Sequence, residues 1–170
     1  IQISSIIINN MIYIGSDHRG LVHKNTITDY LFKTRNHYID NSQADDKPVD
    51  YPDIAHKLCS EMKLEKDLGI LICGTGNGMC MVANRYPNIR AGIAWSTEIA
   101  EKIRLHNDAN VICLPADYLS IEETIDIIKV FMSIKFEGGR HQKRIDKINI
   151  SLLPKDADTN WAAKQGKLSD

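Results

Sequence analysis

Leu68-Gly69-Ile70-Leu71-Ile72-Cys73 runs directly into Gly74-Thr75-Gly76-Asn77-Gly78. The first six residues carry no charge and show no polar alternation. That is the pattern of a strand covered on both faces, as strands of a parallel sheet are. The next five place glycine at every second position, so the backbone can turn tightly and approach a ligand without a Cβ in the way. A helix N-terminus after such a turn offers unpaired N–H groups to an anion. A glycine-rich turn that merely packs closely is the competing explanation of the same residues.

Working outward, the same alternation continues on both sides. Upstream, Met11-Ile12-Tyr13-Ile14 is a short apolar run ending in Gly15-Ser16-Asp17, and Leu21, Lys24, Ile27, Tyr30 and Leu31 follow at helical spacing. Asn36 to Asp40 predicts a second strand, Asn41 to Pro48 a polar loop, and Pro52 and Asp53 open a helix through Ala55, Leu58, Cys59 and Met62. Downstream, the pattern predicts a helix from Gly78 to Arg85 and a strand from Ile89 to Trp95. A helix capped by Ser96 or Thr97 comes next, then a fifth strand from Ala109 to Leu114. Ser120 and Glu123 form a capping-box pattern ahead of the next helix, and a last helix begins after Gly138-Gly139. Strands and helices in strict alternation specify a single doubly wound, Rossmann-like α/β domain: a five-stranded parallel sheet with helices on both faces. The domain is expected over residues 11–150. Residues 1–10 read as a leader of unknown role. Residues 151–170 read as a C-terminal tail in which periodicity fades and Trp161 docks onto the body.

Bulk properties narrow the function. The chain has 170 residues, 43% of them hydrophobic and 25% charged, with a net charge of -1. It is long enough for one domain with its own core, and it lacks the basic excess that marks nucleic-acid or anionic-membrane binding. The apolar leader is too short and too polar to span a bilayer, and it lacks the basic start of a signal peptide. Cys59, Cys73, Cys80 and Cys113 form no C-x-x-C pair and no zinc spacing with histidine, so no metal is expected. Reduced thiols of this kind point to a reducing, cytoplasmic compartment.

In such sheets ligands bind beyond the carboxyl ends of the strands. Strand one ends at Ser16-Asp17-His18 and strand three at the Cys73 loop. His106-Asn107-Asp108 closes the helix before strand five. These clusters are expected near one edge. At a strand-to-helix junction, Cys73 is expected to sit in a positive potential that lowers its pKa, suiting it to act as a base or nucleophile. Taken alone, Cys73 is explained slightly better as a buried structural thiol, and the adjoining glycine loop reverses that. His18 and His106 suit acid–base or phosphate contacts, and Asp17 beside His18 lacks a third ligand at metal spacing. Arg140 and Arg144 are four apart and would share a helix face able to clamp a phosphate, unless they belong to a solvated basic face with Lys143 and Lys147. A dinucleotide fingerprint fits poorly, because the spacing is G-x-G-x-G, Met79 holds the last glycine's place, and the loop follows strand three. A cysteine-phosphatase loop is also disfavoured, because Met79 stands where its arginine belongs.

Five segments together resemble type B ribose-5-phosphate isomerase, a family that includes galactose-6-phosphate and allose-6-phosphate isomerases. They are Gly15-Ser16-Asp17-His18, Asp50-Tyr51-Pro52, Gly69 to Gly78, His106-Asn107-Asp108-Ala109-Asn110, and Phe136 to Arg144. The resemblance covers residues 11–149. It implies interconversion of ribose 5-phosphate and ribulose 5-phosphate without metal or organic cofactor. It makes Cys73 the base, and gives enediolate stabilisation to Thr75 and the backbone of Gly74, Gly76, Asn77 and Gly78. It gives ring opening to His106 and sugar contacts to Asp17, Asn107 and Tyr51. It gives the phosphate to His18, Arg140 and Arg144. It also implies a homodimer or homotetramer with sites shared between subunits, so that His106 and Asn107, or the arginine pair, come from a partner chain. The chain departs from the family at Pro115-Ala116-Asp117-Tyr118, where many members carry an arginine that helps with phosphate. Asp117 has the wrong charge for that task. A six-carbon sugar phosphate as substrate, or a non-catalytic sugar-phosphate-binding module, are the alternatives.

Overall fold

The computed structural model describes residues 10–42, 47–63 and 66–148. Residues 1–9 and the tail from 149, including Trp161, lie outside the described residues. In chain order the elements are β1 (Ile12–Ser16), α1 (Leu21–Lys33), β2 (Tyr38–Asp40), α2 (Tyr51–Glu61), β3 (Leu68–Cys73) and α3 (Asn77–Ala83). They continue with β4 (Ala91–Ile93), α4 (Thr97–Asn107), β5 (Val111–Pro115), α5 (Ile121–Ser133) and α6 (Gln142–Ile145). Single 3-10 turns occupy His18–Gly20, Ala116–Tyr118 and Gly139–His141. All strand pairs are parallel, and the sheet order is β2-β1-β3-β5-β4. This is the doubly wound α/β sheet that the alternation specified. Among the described residues no helix is long and apolar enough to cross a membrane.

The two faces of the sheet follow from the two-residue period of a strand. Ile12, Ile14, Ile70, Ile72, Ile112 and Leu114 point toward α1, α4 and α5, where Ile27, Leu31, Ala100, Ile127 and Phe131 meet them. Tyr13, Leu71, Cys73, Val111 and Cys113 point the other way, onto Ile54, Leu58 and Cys59 of α2 and Met79 and Ala83 of α3. Every residue of β3 is buried because helices cover both its faces, which is why its sequence shows no alternation. Each fully buried Ile or Leu contributes about 1.5–3 kcal/mol, so these two layers dominate the stability.

Side-chain caps place the starts of α4 and α5. Ser120 caps α5 by accepting from the Glu123 N–H at 3.2 Å, and the Glu123 carboxylate accepts from the Ser120 N–H at 2.8 Å, completing the capping box. Ser96, not Thr97, caps α4, accepting from the Ile99 N–H at 3.3 Å. Several boundaries differ from the sequence pattern, three of them with an evident local cause. β4 is confined to Ala91–Ile93, because it lies at the sheet edge and pairs only with β5. α3 stops at Ala83, where the Asn84 side chain engages both backbone groups of Ala91 at 2.9 Å and turns the chain toward β4. After Gly139 a 3-10 turn precedes the short α6, so no single helix carries both arginines.

The strand order creates a crevice. From β1 the chain leaves toward β2 on one side, while β3 lies on the other. The carboxyl ends of β1 and β3 are therefore adjacent at the point where the winding reverses. Asp17 is pinned there: its N–H donates to the Ile72 carbonyl at 3.2 Å, and its Oδ1 accepts from the Arg19 and Gly20 N–H groups at 2.9 and 3.1 Å. Gly20 is pressed against β3. A Cβ there would stand 2.7 Å from Ile72 Cγ2 and 2.8 Å from the Ile72 carbonyl oxygen. Gly20→Ala must push backbone apart, so it is expected to destabilise the protein by about 1–3 kcal/mol and to weaken any function of Asp17. Urea unfolding checks this, and an unchanged midpoint would contradict the described seat.

Candidate active site

Cys73 is the last residue of β3, and its side chain faces the α2–α3 layer at 5% exposure. The loop that follows wraps around the sulfur. Gly76 adopts φ 73°, a left-handed conformation that favours glycine. This turn lets the Gly76 N–H donate to Cys73 Sγ at 3.2 Å. The Met79 and Thr75 N–H groups also favour the thiolate. Burial outweighs them, and the nearby Asp17 charge adds to it, so the Cys73 pKa is raised above 9.0. The expected lowering is therefore corrected: a strand-to-helix junction supplies donors, but here the sulfur is too far from water for them to win.

Two groups flank this loop. Tyr51, the first residue of α2, lays its ring on Gly78, so closely that a Cβ there would stand 2.5 Å from Tyr51 Cε2 and Cζ. On the other side, a Cβ on Gly74 would stand 2.8 Å from both Arg19 Nε and Asp117 Oδ2. The Asp117 N–H donates to the Gly74 carbonyl at 3.0 Å, and the Asp117 carboxylate accepts from Arg19 Nε at 3.3 Å and from Arg19 Nη2. The negative charge noted after strand five is thus met by an arginine 98 positions away in sequence. That separation is why Arg19 was not identified from the sequence. Thr75 and Asn77 are exposed on the loop, and the Thr75 hydroxyl accepts from the Asn77 N–H at 3.4 Å. His18 is exposed at the same rim and lines a small hollow with Asp17, Ser42 and Lys47. Asp17, His18, Tyr51, Cys73, Gly74, Thr75, Gly76, Asn77 and Gly78 are therefore brought together at the carboxyl ends of β1 and β3.

His106, Asn107, Arg140 and Arg144 are not. His106 and Asn107 end α4, which then delivers the chain to the start of β5. Val111 at that start pairs with Gly69, whereas Cys73 pairs with Pro115 at the far end of β5. A helix that returns between parallel strands must end at the edge opposite the one it left. A strand's length, on the order of 15 Å, separates the two edges. The common edge expected from sequence is therefore corrected.

At this amino edge a second cluster is built rigidly. α4 ends at Asp108, a non-glycine residue with φ 44°. Its carboxylate is held by Arg90 at 2.8 Å and Arg104 at 3.2 Å, and Arg90 Nε donates to the Asn107 carbonyl at 3.1 Å. The Glu137 N–H donates to the Leu105 carbonyl at 3.1 Å, docking the segment after α5 onto α4. Gly138 and Gly139, with φ 72° and 56°, then turn the chain. His141 lies buried with its ring stacked on His106, centroids 4.3 Å apart and planes 8° from parallel. Glu137 Oε2 lies 3.9 Å from His106 Nε2 and 3.7 Å from His141 Nε2. Arg140 and Arg144 are exposed beside them. Burial, with His106 and the two arginines, lowers the His141 pKa against the opposing pull of Glu137. The sequence pattern assigns no role to Glu137 or His141. Their spacing of four was the available signal, but only tertiary packing sets them on His106.

His106, Glu137 and His141 are also a possible metal-ligand trio, their ligand atoms lying within 4.8 Å of one another. The ring geometry argues against one shared ion. An imidazole nitrogen binds metal along a lone pair in its ring plane, and two nearly parallel stacked planes share no such point.

Comparison with known proteins identifies the family. The model of the Ribose/Galactose Isomerase family matches residues 12–148. The probable ribose-5-phosphate isomerase B of Mycoplasma genitalium is 43% identical over 140 residues, 81% of this chain and 92% of that protein. The D-erythrulose-4-phosphate isomerase of Pectobacterium atrosepticum is 40% identical over 140 residues, 81% of this chain and 91% of that one. The crystal structure of ribose-5-phosphate isomerase B from Mycoplasma genitalium with bound ribulose-5-phosphate superposes with a TM-score of 0.78 at 40% identity. It covers 84% of this chain and 95% of that one. The enzyme from Thermotoga maritima gives a TM-score of 0.80 at 38% identity, covering 84% and 99%. With the family model spanning both edges of the sheet, from β1 to the end of the described residues, the chain belongs to the ribose/galactose isomerase family.

Proposed function

We propose that this chain interconverts ribose 5-phosphate and ribulose 5-phosphate through an enediolate, with no metal or organic cofactor, in sites completed by a second copy of the chain. One observation carries the reading. The thiol with its donor loop stands at the carboxyl edge of the sheet, and a His/Arg cluster of complementary chemistry stands at the amino edge of the same sheet. No motion within one rigid sheet brings them together. Apposing the carboxyl edge of one protomer to the amino edge of another does, and a two-fold arrangement generates two such sites at once.

In this reading His106 of one protomer opens the furanose ring. Cys73 of the other removes the C2 proton and returns it to C1. The loop N–H groups and Thr75 hold the negative oxygens of the enediolate, where one such donor is typically worth about 2.7–4 kcal/mol. Asp17, Tyr51 and Asn107 contact the sugar. His18 and the two arginines hold the phosphate, whose binding energy fixes the reacting carbons in place. The raised Cys73 pKa sets a demand on the mechanism, since little thiolate exists at neutral pH. The cations of the partner cluster and the polarised carbonyl must favour the charged form once substrate is bound. A reducing, cytoplasmic setting suits a base of this kind.

A second reading concerns sugar length. Tyr51 on Gly78 and the Arg19–Asp117 pair on Gly74 bound the loop on two sides. A relative with 40% identity is named for a four-carbon substrate. A substrate of another length, including a six-carbon sugar phosphate, would be accommodated at these two walls with the same proton chemistry. Relative kcat/KM values for four-, five- and six-carbon aldose phosphates distinguish the two readings.

Cys73→Ala is expected to reduce ribose 5-phosphate turnover by about 100-fold or more, and near wild-type turnover would remove Cys73 from its role. When Cys73→Ala and His106→Asn proteins are dissociated and reassociated together, about a quarter of wild-type activity should return, from one intact site in half of the dimers. No recovery would contradict shared sites. The pH dependence of Cys73 follows from its raised pKa. Thiolate is the minor species below that pKa and grows about tenfold per pH unit. Alkylation of Cys73 by iodoacetamide in the ligand-free protein should therefore still be accelerating at pH 9, and a plateau below pH 8 would contradict the raised value.

A further inference from the structure

Within the amino-edge cluster, His141 differs from its neighbours. Arg140 and Arg144 are exposed, whereas His141 is 3% exposed and its ring faces His106 across a near-parallel stack. Its Nε2 lies 3.7 Å from Glu137 Oε2 and accepts from Arg140 Nε at 3.4 Å, and the His141 backbone N–H donates to the Gly138 carbonyl at 3.1 Å. The ring is held from several sides and offers little surface to a substrate. His106 is one-third exposed and sits at the last turn of α4, with its Nε2 3.9 Å from Glu137 Oε2. A solvent-facing imidazole at a helix end turns freely about its side-chain torsions unless something fixes its plane.

We infer that His141 is a positioning residue for His106: its buried ring is the platform that fixes the plane of the His106 imidazole and keeps its Nε2 directed along Glu137 toward the sugar. This rests on the reading of His106 as the ring-opening group. The groups facing the pair are Glu137 from the segment after α5, Arg140 from the 3-10 turn and Arg144 from α6. Two cations and one carboxylate beside a buried ring favour a neutral His141. A neutral platform does not compete with His106 for Glu137, so the carboxylate remains available to the exposed imidazole during its proton cycle. Misplacing an acid–base group by about 1 Å can cost about 100-fold in rate, which sets the scale of the effect.

The chemistry of the substrates separates this role from general stability. Ribose 5-phosphate closes into a furanose through its C4 hydroxyl and must be opened. Erythrose 4-phosphate has no hydroxyl placed to form a five-membered ring, and its monomer is acyclic. The experiment compares His141→Leu, which fills the volume without a ring, with His141→Phe, which keeps a ring without nitrogens. His106→Asn is run alongside, in the full chain and on both sugars, with thermal unfolding as a control.

The expected result is a loss of about 10- to 100-fold in kcat/KM for ribose 5-phosphate in His141→Leu. His141→Phe should recover to within about threefold of wild type, and erythrose 4-phosphate turnover should change less than about threefold in either variant. Wild-type turnover of ribose 5-phosphate by His141→Leu, an equal loss on both sugars, or a His141→Phe as impaired as His141→Leu would each overturn the inference. If His141→Leu does not fold, a loss of more than about tenfold in folded His141→Phe overturns it. If wild type does not accept erythrose 4-phosphate, the Leu–Phe contrast on ribose 5-phosphate decides alone. Full activity in His106→Asn would instead remove the ring-opening reading itself. A crippled His106→Asn beside an intact His141→Leu would remove only the positioning role.

Discussion

The parallel pairing of β3 between β1 and β5 is the constraint on which the rest of the molecule depends. Parallel strands point all their carboxyl ends one way, and the helices that connect them must return the chain to the other edge. Because β1 connects outward to β2 while β3 starts the other half of the sheet, the ends of β1 and β3 meet at the reversal of winding. Asp17 and Cys73 lie side by side for this reason alone. The same geometry sends the end of α4, with His106 and Asn107, to the amino edge. A division of these clusters between two edges is thus a consequence of strand direction.

At the carboxyl edge two opposing effects act on one sulfur. Backbone N–H groups from Thr75, Gly76 and Met79 draw Cys73 toward the thiolate, and burial in the α2–α3 layer holds it toward the thiol. Burial prevails in the single chain. A thiol held in its neutral form costs less to bury than a thiolate. The Arg19–Asp117 pair shows a related compensation. As an exposed pair its contribution to stability is at most about 1 kcal/mol, but it neutralises a carboxylate next to a loop suited to negative charge.

At the amino edge the organisation is stiffer. Asp108, held by Arg90 and Arg104, ends α4 at a defined point, and Glu137 docks the following segment onto the same helix. The stacked His106–His141 pair is built on those two anchors. Exposed arginines beside a fixed imidazole pair form a surface suited to an anionic group.

Much of this was legible in the residues. The unbroken apolar run Leu68–Cys73, the alternation of strand and helix patterns, and the Ser120–Glu123 capping box are local signals, because each depends on the chain's own period or on neighbours a few positions away. They specified the doubly wound sheet, its buried central strand and the glycine loop after Cys73. Other features depend on distant parts of the chain and left no local mark. Arg19 finds Asp117 across 98 positions, and His141 stacks on His106 because α4 and the segment after α5 pack together. The thiol's raised pKa reflects how much protein covers it, which no spacing of residues encodes. The assignment of clusters to edges failed for the same reason: the local pattern picks out Cys73 and His106, but the direction in which each element runs through the fold places them a strand's length apart.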